Sequence, residues 1–126
     1  MTEAYEQMRI RPEDVGKMTF STIFGMFQSQ VMQMGDCNAP STFQQLMTAI
    51  FQDFLRRFVH VYPDDIFIYS QSIREHIEHI MKVLQRLRES QFYLSRSKLD
   101  LFSDKTACLG HVIDNNGIHA ELVKMQ

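Results

Sequence analysis

Phe43, Leu46, Met47, Ile50, Phe51, Phe54, Leu55 and Phe58 recur at the three- and four-residue steps of one helix face. At that spacing their side chains line up along one side of an α-helix, which must be buried. The preceding "NAPS" offers Asn38 or Ser41 as a cap and puts Pro40 where a first helical turn accepts it. The pattern predicts a helix of about 15 residues, from near Ser41 to Arg57. Directly after it comes "FVHVYPDDIFIYS", Phe58 to Ser70, in which two runs alternate with the period of a strand around an adjacent pair of aspartates. This predicts a hairpin with Asp64 and Asp65 at its tip.

The rest of the chain supplies further strands and one more helix. "AYEQMRI", "MTFSTIFG" and "MFQSQVMQM" carry strand signals, with Gly16 and Gly25 as turns between them. Ile73, Ile77, Ile80, Leu84 and Leu87 mark a second amphipathic helix from about Ser72 to Glu89 that packs on one side only. "KLDLFSDKTACLGHVID" and "IHA" read as strands, the latter entered through the tight turn "NNG". The element order approaches the split β-α-β-β-α-β, ferredoxin-like arrangement, an α+β fold with both helices on one face of an antiparallel sheet and the other face open. Residues 1–126 are expected to form a single domain, since the length suits one core and no linker interrupts it.

Composition narrows the function classes. Lys and Arg number 13 against 15 Asp and Glu, with 44% hydrophobic residues, the balance of an ordinary globular chain rather than a disordered one. The near-neutral balance argues against a strongly basic nucleic-acid clamp, since such clamps bind chiefly by neutralising phosphates, and leaves a local basic patch open. No apolar run approaches the ~20 residues of a membrane span. Cys37 and Cys108 lack metal-ligand spacing, and the polar start "MTEAYEQMRIRPEDV" has no signal-peptide pattern, so an intracellular, cytoplasmic chain is expected, with the nucleus as the other compartment.

Pro-Asp-Asp between strands suits a plain turn, since proline presets the backbone and aspartate tolerates turn geometry. It also suits a metal site. Magnesium takes oxygen ligands, commonly one or two carboxylates together with substrate phosphates, and a pair of such ions can stabilise an in-line phosphoryl displacement. His76 and His79 share a helix face, but without a third ligand they are expected to face solvent.

The motifs around the hairpin resemble those of reverse transcriptases, the gypsy-type retrotransposon branch in particular. "YPDD" is similar to the tyrosine-x-aspartate-aspartate box. "AYEQMRIRPEDVGKMTFST" resembles the segment after the first catalytic motif, and "VMQMGDCNAPSTFQQLM" the motif that opens the long palm helix. "LRESQFYLSRSKLDLF" resembles the following helix-to-strand motif, and "CLGHVID" the primer-grip hairpin. The resemblance runs along nearly the whole chain and implies the palm core of an RNA-directed DNA polymerase. It implies that Asp64 and Asp65 are catalytic and bind magnesium, or manganese in its place. By the same resemblance Tyr5 lies beneath the incoming sugar and excludes a 2′-hydroxyl. Gly35, Asn38, Pro40, Phe43 and Gln44 line the nucleotide pocket and template, Lys98 sits near the nucleotide phosphates, and Leu109, Gly110 and His111 form the primer grip. The implied partners are an RNA/DNA template-primer, deoxynucleoside triphosphates, and the remainder of a polyprotein or a second copy; no membrane is expected.

The family's first motif carries a third aspartate five residues before the aromatic matched by Tyr5, which falls immediately before Met1. Glu3 lies three residues further along, about 10 Å away at ~3.3 Å per residue, and on the other side of the pleat. The expectation is therefore an impaired or inactive polymerase when residues 1–126 stand alone, with a non-catalytic nucleic-acid-binding or self-associating remnant as the alternative.

Overall fold

The computed structural model describes residues 5–62, 65–108, 111–114 and 116–120. After 3-10 turns at Tyr5–Gln7 and Pro12–Met18 come strands β1 (Thr19–Thr22) and β2 (Gly25–Gln28), helix α1 (Ala39–Ile50), strands β3 (Val59–Tyr62) and β4 (Asp65–Ile68), helix α2 (Ile73–Glu89), a 3-10 turn at Arg96–Lys98, and strands β5 (Thr106–Cys108), β6 (His111–Asp114) and β7 (Gly117–Ala120). All strand pairings are antiparallel. Among the described residues the strands divide into three sheets, β1-β2, β3-β4 and β5-β6-β7. The α+β class and the antiparallel pairing agree with the sequence expectation, whereas its single sheet is divided. Only β3-β4 lies under the helices; every residue of β1 and β2 is exposed, so no burial holds that hairpin against the centre.

The core forms where α1 and α2 meet one face of the β3-β4 hairpin. Phe43, Met47, Phe51, Phe58, Val59, Val61, Val83 and Leu87 are buried there together. In β3, Val59 and Val61 are buried while His60 and Tyr62 are exposed, the strand period expressed as burial. Their partners across the ladder are Ile68 and Ile66 on the core side and Phe67 and Asp65 on the other. Directly opposed residues point to the same face, so both helices lie on one face and the other face is uncovered, as the sequence predicts. Arg86 of α2 joins the layers: it donates to the Ile50 carbonyl at the C-terminus of α1 at 2.9 Å and pairs with Asp53 at 3.3 Å. A cation at that end complements the helix dipole.

Three local differences from the sequence expectation have physical causes. α1 stops at Ile50 rather than near Arg57, yet Phe51, Phe54, Leu55 and Phe58 still enter the core cluster, because a run of tight turns, with Leu55 N–H donating to the Phe51 carbonyl at 3.0 Å, keeps the inward spacing. Periodicity reports burial, and it continues where the helical ladder does not. Asn38 is the N-cap of α1 but its side chain makes no capping bond; the Ser41 hydroxyl instead donates to the Asn38 carbonyl at 3.1 Å. Of the "AYEQMRI" segment, Ala4 lies outside the described residues, and residues 5–10 form a 3-10 turn and one bridge, Arg9 with Val31, in place of a strand. No described helix is long and apolar enough to cross a membrane.

Candidate active site at the acidic hairpin

Tyr62 and Asp65 are register partners, the last pair of the β3-β4 ladder. Antiparallel pairing with one face buried fixes the register of both arms. Asp65 is thereby held at the first position of β4, exposed, on the uncovered face beside Tyr62. Among the described residues its carboxylate has no hydrogen bond or ion pair, so its oxygens are available to a cation. Pro63 and Asp64 lie outside the described residues. A pair of adjacent carboxylates is the hard-oxygen donor set that suits magnesium. Among the described residues no group of three His, Cys, Asp or Glu could hold a metal ion.

The start of β3, at the end of the hairpin away from this tip, is tied down by the turns after α1. Val59 N–H donates to the Phe54 carbonyl at 3.2 Å and Arg56 N–H to the Val59 carbonyl at 3.3 Å. One turn into α1, Gln44 donates its amide to the Val61 carbonyl at 3.3 Å, and its buried Oε1 has no hydrogen-bond partner among the described residues. Gln44 therefore links α1 to the strand residue just before Tyr62.

A second group assembles around the start of α1. Phe43 is fully buried, with its ring edge-on to Tyr5 at 5.4 Å and to Phe92 at 6.4 Å. It is a wall of the core and a support for Tyr5. Gln7 clamps the segment after α2: its Nε2 donates to the Tyr93 carbonyl at 3.1 Å, and Tyr93 N–H donates to its Oε1 at 2.7 Å. That paired bond brings the Tyr5 turn beside the run that leads to Lys98, which is exposed in its 3-10 turn. Ahead of the helix, Gly35 sits at φ +100° in a turn closed by Asp36 N–H donating to the Gln33 carbonyl at 3.3 Å. Its position requires glycine. Asn38 and Pro40 follow at the helix start.

Of the residues implied to grip the primer, Leu109 and Gly110 lie outside the described residues; His111 pairs with Cys108 in the β5-β6-β7 sheet and is exposed at the start of β6. The turn after β6 is fixed by Asp114, which accepts from Asn116 N–H at 2.8 Å. That bond, with the nearby His119, holds the Asp114 carboxyl below its ordinary range.

Sequence reasoning missed two arrangements. Gln7 has no local signal, since its partner lies 86 residues away. His76 and His79 do not face solvent: both Nδ1 atoms converge on the Ser70 hydroxyl, at 3.0 and 2.7 Å, and the His79 ring stacks on Phe58 with centroids 3.9 Å apart. The cause is Phe58, a core residue whose outer ring face needs covering, and Ser70, which ends the hairpin beneath α2.

Comparison with known proteins agrees with this arrangement. Residues 1–113 match the family model described as reverse transcriptase (RNA-dependent DNA polymerase). The chain is 31% identical over 126 residues to the retrovirus-related Pol polyprotein from transposon 297 of Drosophila melanogaster, covering 100% of this chain and 12% of that protein. It is also 31% identical over 117 residues to the transposon Tf2-3 polyprotein of Schizosaccharomyces pombe, covering 93% of this chain and 9% of that one. It thus spans about a tenth of the length of these polyproteins. The foamy viral protease-reverse transcriptase solved in complex with RNA/DNA hybrid shares the fold, with a TM-score of 0.86 at 20% identity over 95% of this chain and 16% of that one. The same viral protein in complex with dsDNA gives 0.85. With a family model covering most of its length and an acidic hairpin on a two-helix palm, the chain belongs to the reverse transcriptase (RNA-dependent DNA polymerase) family.

Proposed function

We propose that residues 1–126 are the palm core of an RNA-directed DNA polymerase of a gypsy-type retrotransposon, acting as a single domain in an intracellular, cytoplasmic setting. The observation that carries this reading is the exposed Asp65, unpaired among the described residues, at the tip of a hairpin whose opposite face is packed against both helices. Rigid support of that kind is what a catalytic carboxylate needs.

Asp64 and Asp65 are the residues that would hold magnesium, or manganese in its place. Magnesium supplies charge stabilisation at the phosphate oxygens during nucleotidyl transfer. The chain's own residues do the positioning. Tyr5, braced edge-on by Phe43, sits under the sugar of the incoming deoxynucleoside triphosphate and excludes a 2′-hydroxyl. Gly35, Asn38 and Pro40 present the start of α1 to nucleotide and template, Gln44 fixes the strand that ends at Tyr62, and Lys98 meets the phosphates. Leu109, Gly110 and His111 grip the primer of an RNA/DNA template-primer. A metal-binding measurement on residues 1–126 tests this carboxylate pair directly.

Manganese, titrated as a paramagnetic probe, is expected to broaden the backbone amide signals of Tyr62, Asp65 and Ile66 selectively. The double variant Asp64→Asn, Asp65→Asn is expected to abolish that broadening and to lower any magnesium-dependent extension of a primer on an RNA template by about 100-fold or more. Broadening or extension that persists in the double variant overturns the assignment.

A further inference from the structure

Away from the acidic hairpin tip, one cluster gathers groups that bind metals. His76 and His79, one turn apart on α2, aim their Nδ1 atoms at the Ser70 hydroxyl from 3.0 and 2.7 Å. Aromatic neighbours hold both rings in place. His79 lies flat on Phe58 with centroids 3.9 Å apart and its side chain only 12% exposed, while His76 stands edge-on to Phe102 at 5.5 Å. Ser70 is positioned by the residue before it, since Tyr69 N–H donates to the Phe58 carbonyl at 3.0 Å. Two donors from the helix and one from the end of the hairpin therefore converge on one point.

The chemistry of the three donors agrees with their geometry. An imidazole nitrogen binds zinc at about 2.0–2.1 Å, so an ion at the meeting point requires each ring to close by about 1 Å or less, with the hydroxyl turning aside as the third donor. Ligation also needs bare Nδ1 atoms. Glu75 favours that state at His79, because its carboxylate lies 3.9 Å from Nε2 and draws the ring proton to that side, as carboxylates do behind metal-bound imidazoles. A single hydroxyl proton satisfies one bare Nδ1, whereas an ion satisfies two. Imidazole suits zinc, copper and nickel, and carboxylate suits magnesium, so this cluster and the acidic hairpin select different ions. We propose that Ser70, His76 and His79 bind a divalent transition-metal ion of the zinc class, with water completing its shell, and that the ion clamps the end of the β3-β4 hairpin to α2.

Zinc titrated into residues 1–126 in magnesium-containing buffer is expected to bind saturably by calorimetry, to shift the His76 and His79 ring resonances, and to raise the thermal midpoint, since an ion held only by the folded state stabilises it. His76→Gln and His79→Gln are each expected to weaken binding about tenfold or more, the scale of losing even a supporting group, and Ser70→Ala to weaken it severalfold. His79 covers a core residue, so if His79→Gln loses its far-UV circular dichroism, His76→Gln carries the test, its ring lying against the exposed Phe102. His60→Gln, on the uncovered face of β3, is expected to leave binding unchanged. The double variant at Asp64 and Asp65 is expected to bind zinc as the parent does, which separates this result from the polymerase reading. Absence of saturable binding, binding indifferent to His76→Gln or Ser70→Ala, or loss of binding in the Asp64, Asp65 double variant overturns the proposal and leaves the cluster as a hydrogen-bonded cover for Phe58.

Discussion

At the scale of single residues, the site depends on a few positions whose constraint is local and severe. Gly35 is the clearest: its φ of +100° is accessible to glycine and costly to any residue with a Cβ, while the space where a Cβ would stand is open. Its requirement is therefore one of backbone conformation and not of packing. Gly35→Ala is expected to lower the unfolding free energy by about 1–2 kcal/mol, measured by denaturant titration; a change within error would show that the turn ahead of α1 relaxes without cost. Phe43 is constrained in the opposite way, by neighbours on two sides. The resemblance assigned it to the nucleotide pocket, and the structure shows it fully buried between Tyr5 and Phe92, so its proposed part in the site is indirect, through the ring it supports.

At the scale of elements, caps and ends decide where helices stop and strands begin. α2 starts on Ser72, whose hydroxyl accepts from Glu75 N–H at 3.2 Å, while Glu75 reaches back to accept from Gln71 N–H at 3.0 Å. It ends in a Schellman motif: Phe92 N–H donates to the Leu87 carbonyl at 2.9 Å and Gln91 N–H to the Arg88 carbonyl at 3.1 Å. The residue in the left-handed position there is Gln91, at φ +59°, where glycine is the usual occupant. Gln91→Gly is expected to stabilise the chain by roughly 0.5–1 kcal/mol, the relief of the left-handed strain less the added freedom of the unfolded chain. Thermal unfolding followed at 222 nm would register it as a rise in midpoint, and a fall would show that the Gln91 side chain contributes more than its backbone strain costs.

At the scale of the whole molecule, burial is concentrated and uneven. α1, β3, β4 and α2 share one core, whereas β1 and β2 expose every residue. Amide exchange is expected to follow that division, with His60, Met47 and Val83 among the slowest amides and β1-β2 exchanging at least tenfold faster, because local opening is easiest where little apolar surface is buried. Equal protection in both regions would show that the hairpin is held by contacts other than burial. The same unevenness sets the functional layout: the buried side of β3-β4 makes the hairpin rigid, and its uncovered side presents Asp65.

The sequence alone determined those features that depend on neighbours in the chain. The spacing of apolar residues marked both helices, alternation marked β3 and β4, and Pro-Asp-Asp marked the tip between them, because the periods of 3.6 and 2 are properties of the backbone itself. The family motifs were equally legible, being short and ordered along the chain. Tertiary structure decided what depends on distant partners. The burial of Phe43 between rings far from it in sequence, the clamp of Gln7 on Tyr93, and the meeting of His76 and His79 at Ser70 are contacts that no local period encodes. So too is the end of α1 at Ile50, where the need to turn back into β3 outweighed a helical pattern that continued to Phe58. Side chains kept their inward spacing there because the core attracts apolar surface whatever the hydrogen bonding, and only the packed fold fixes which backbone conformation delivers it.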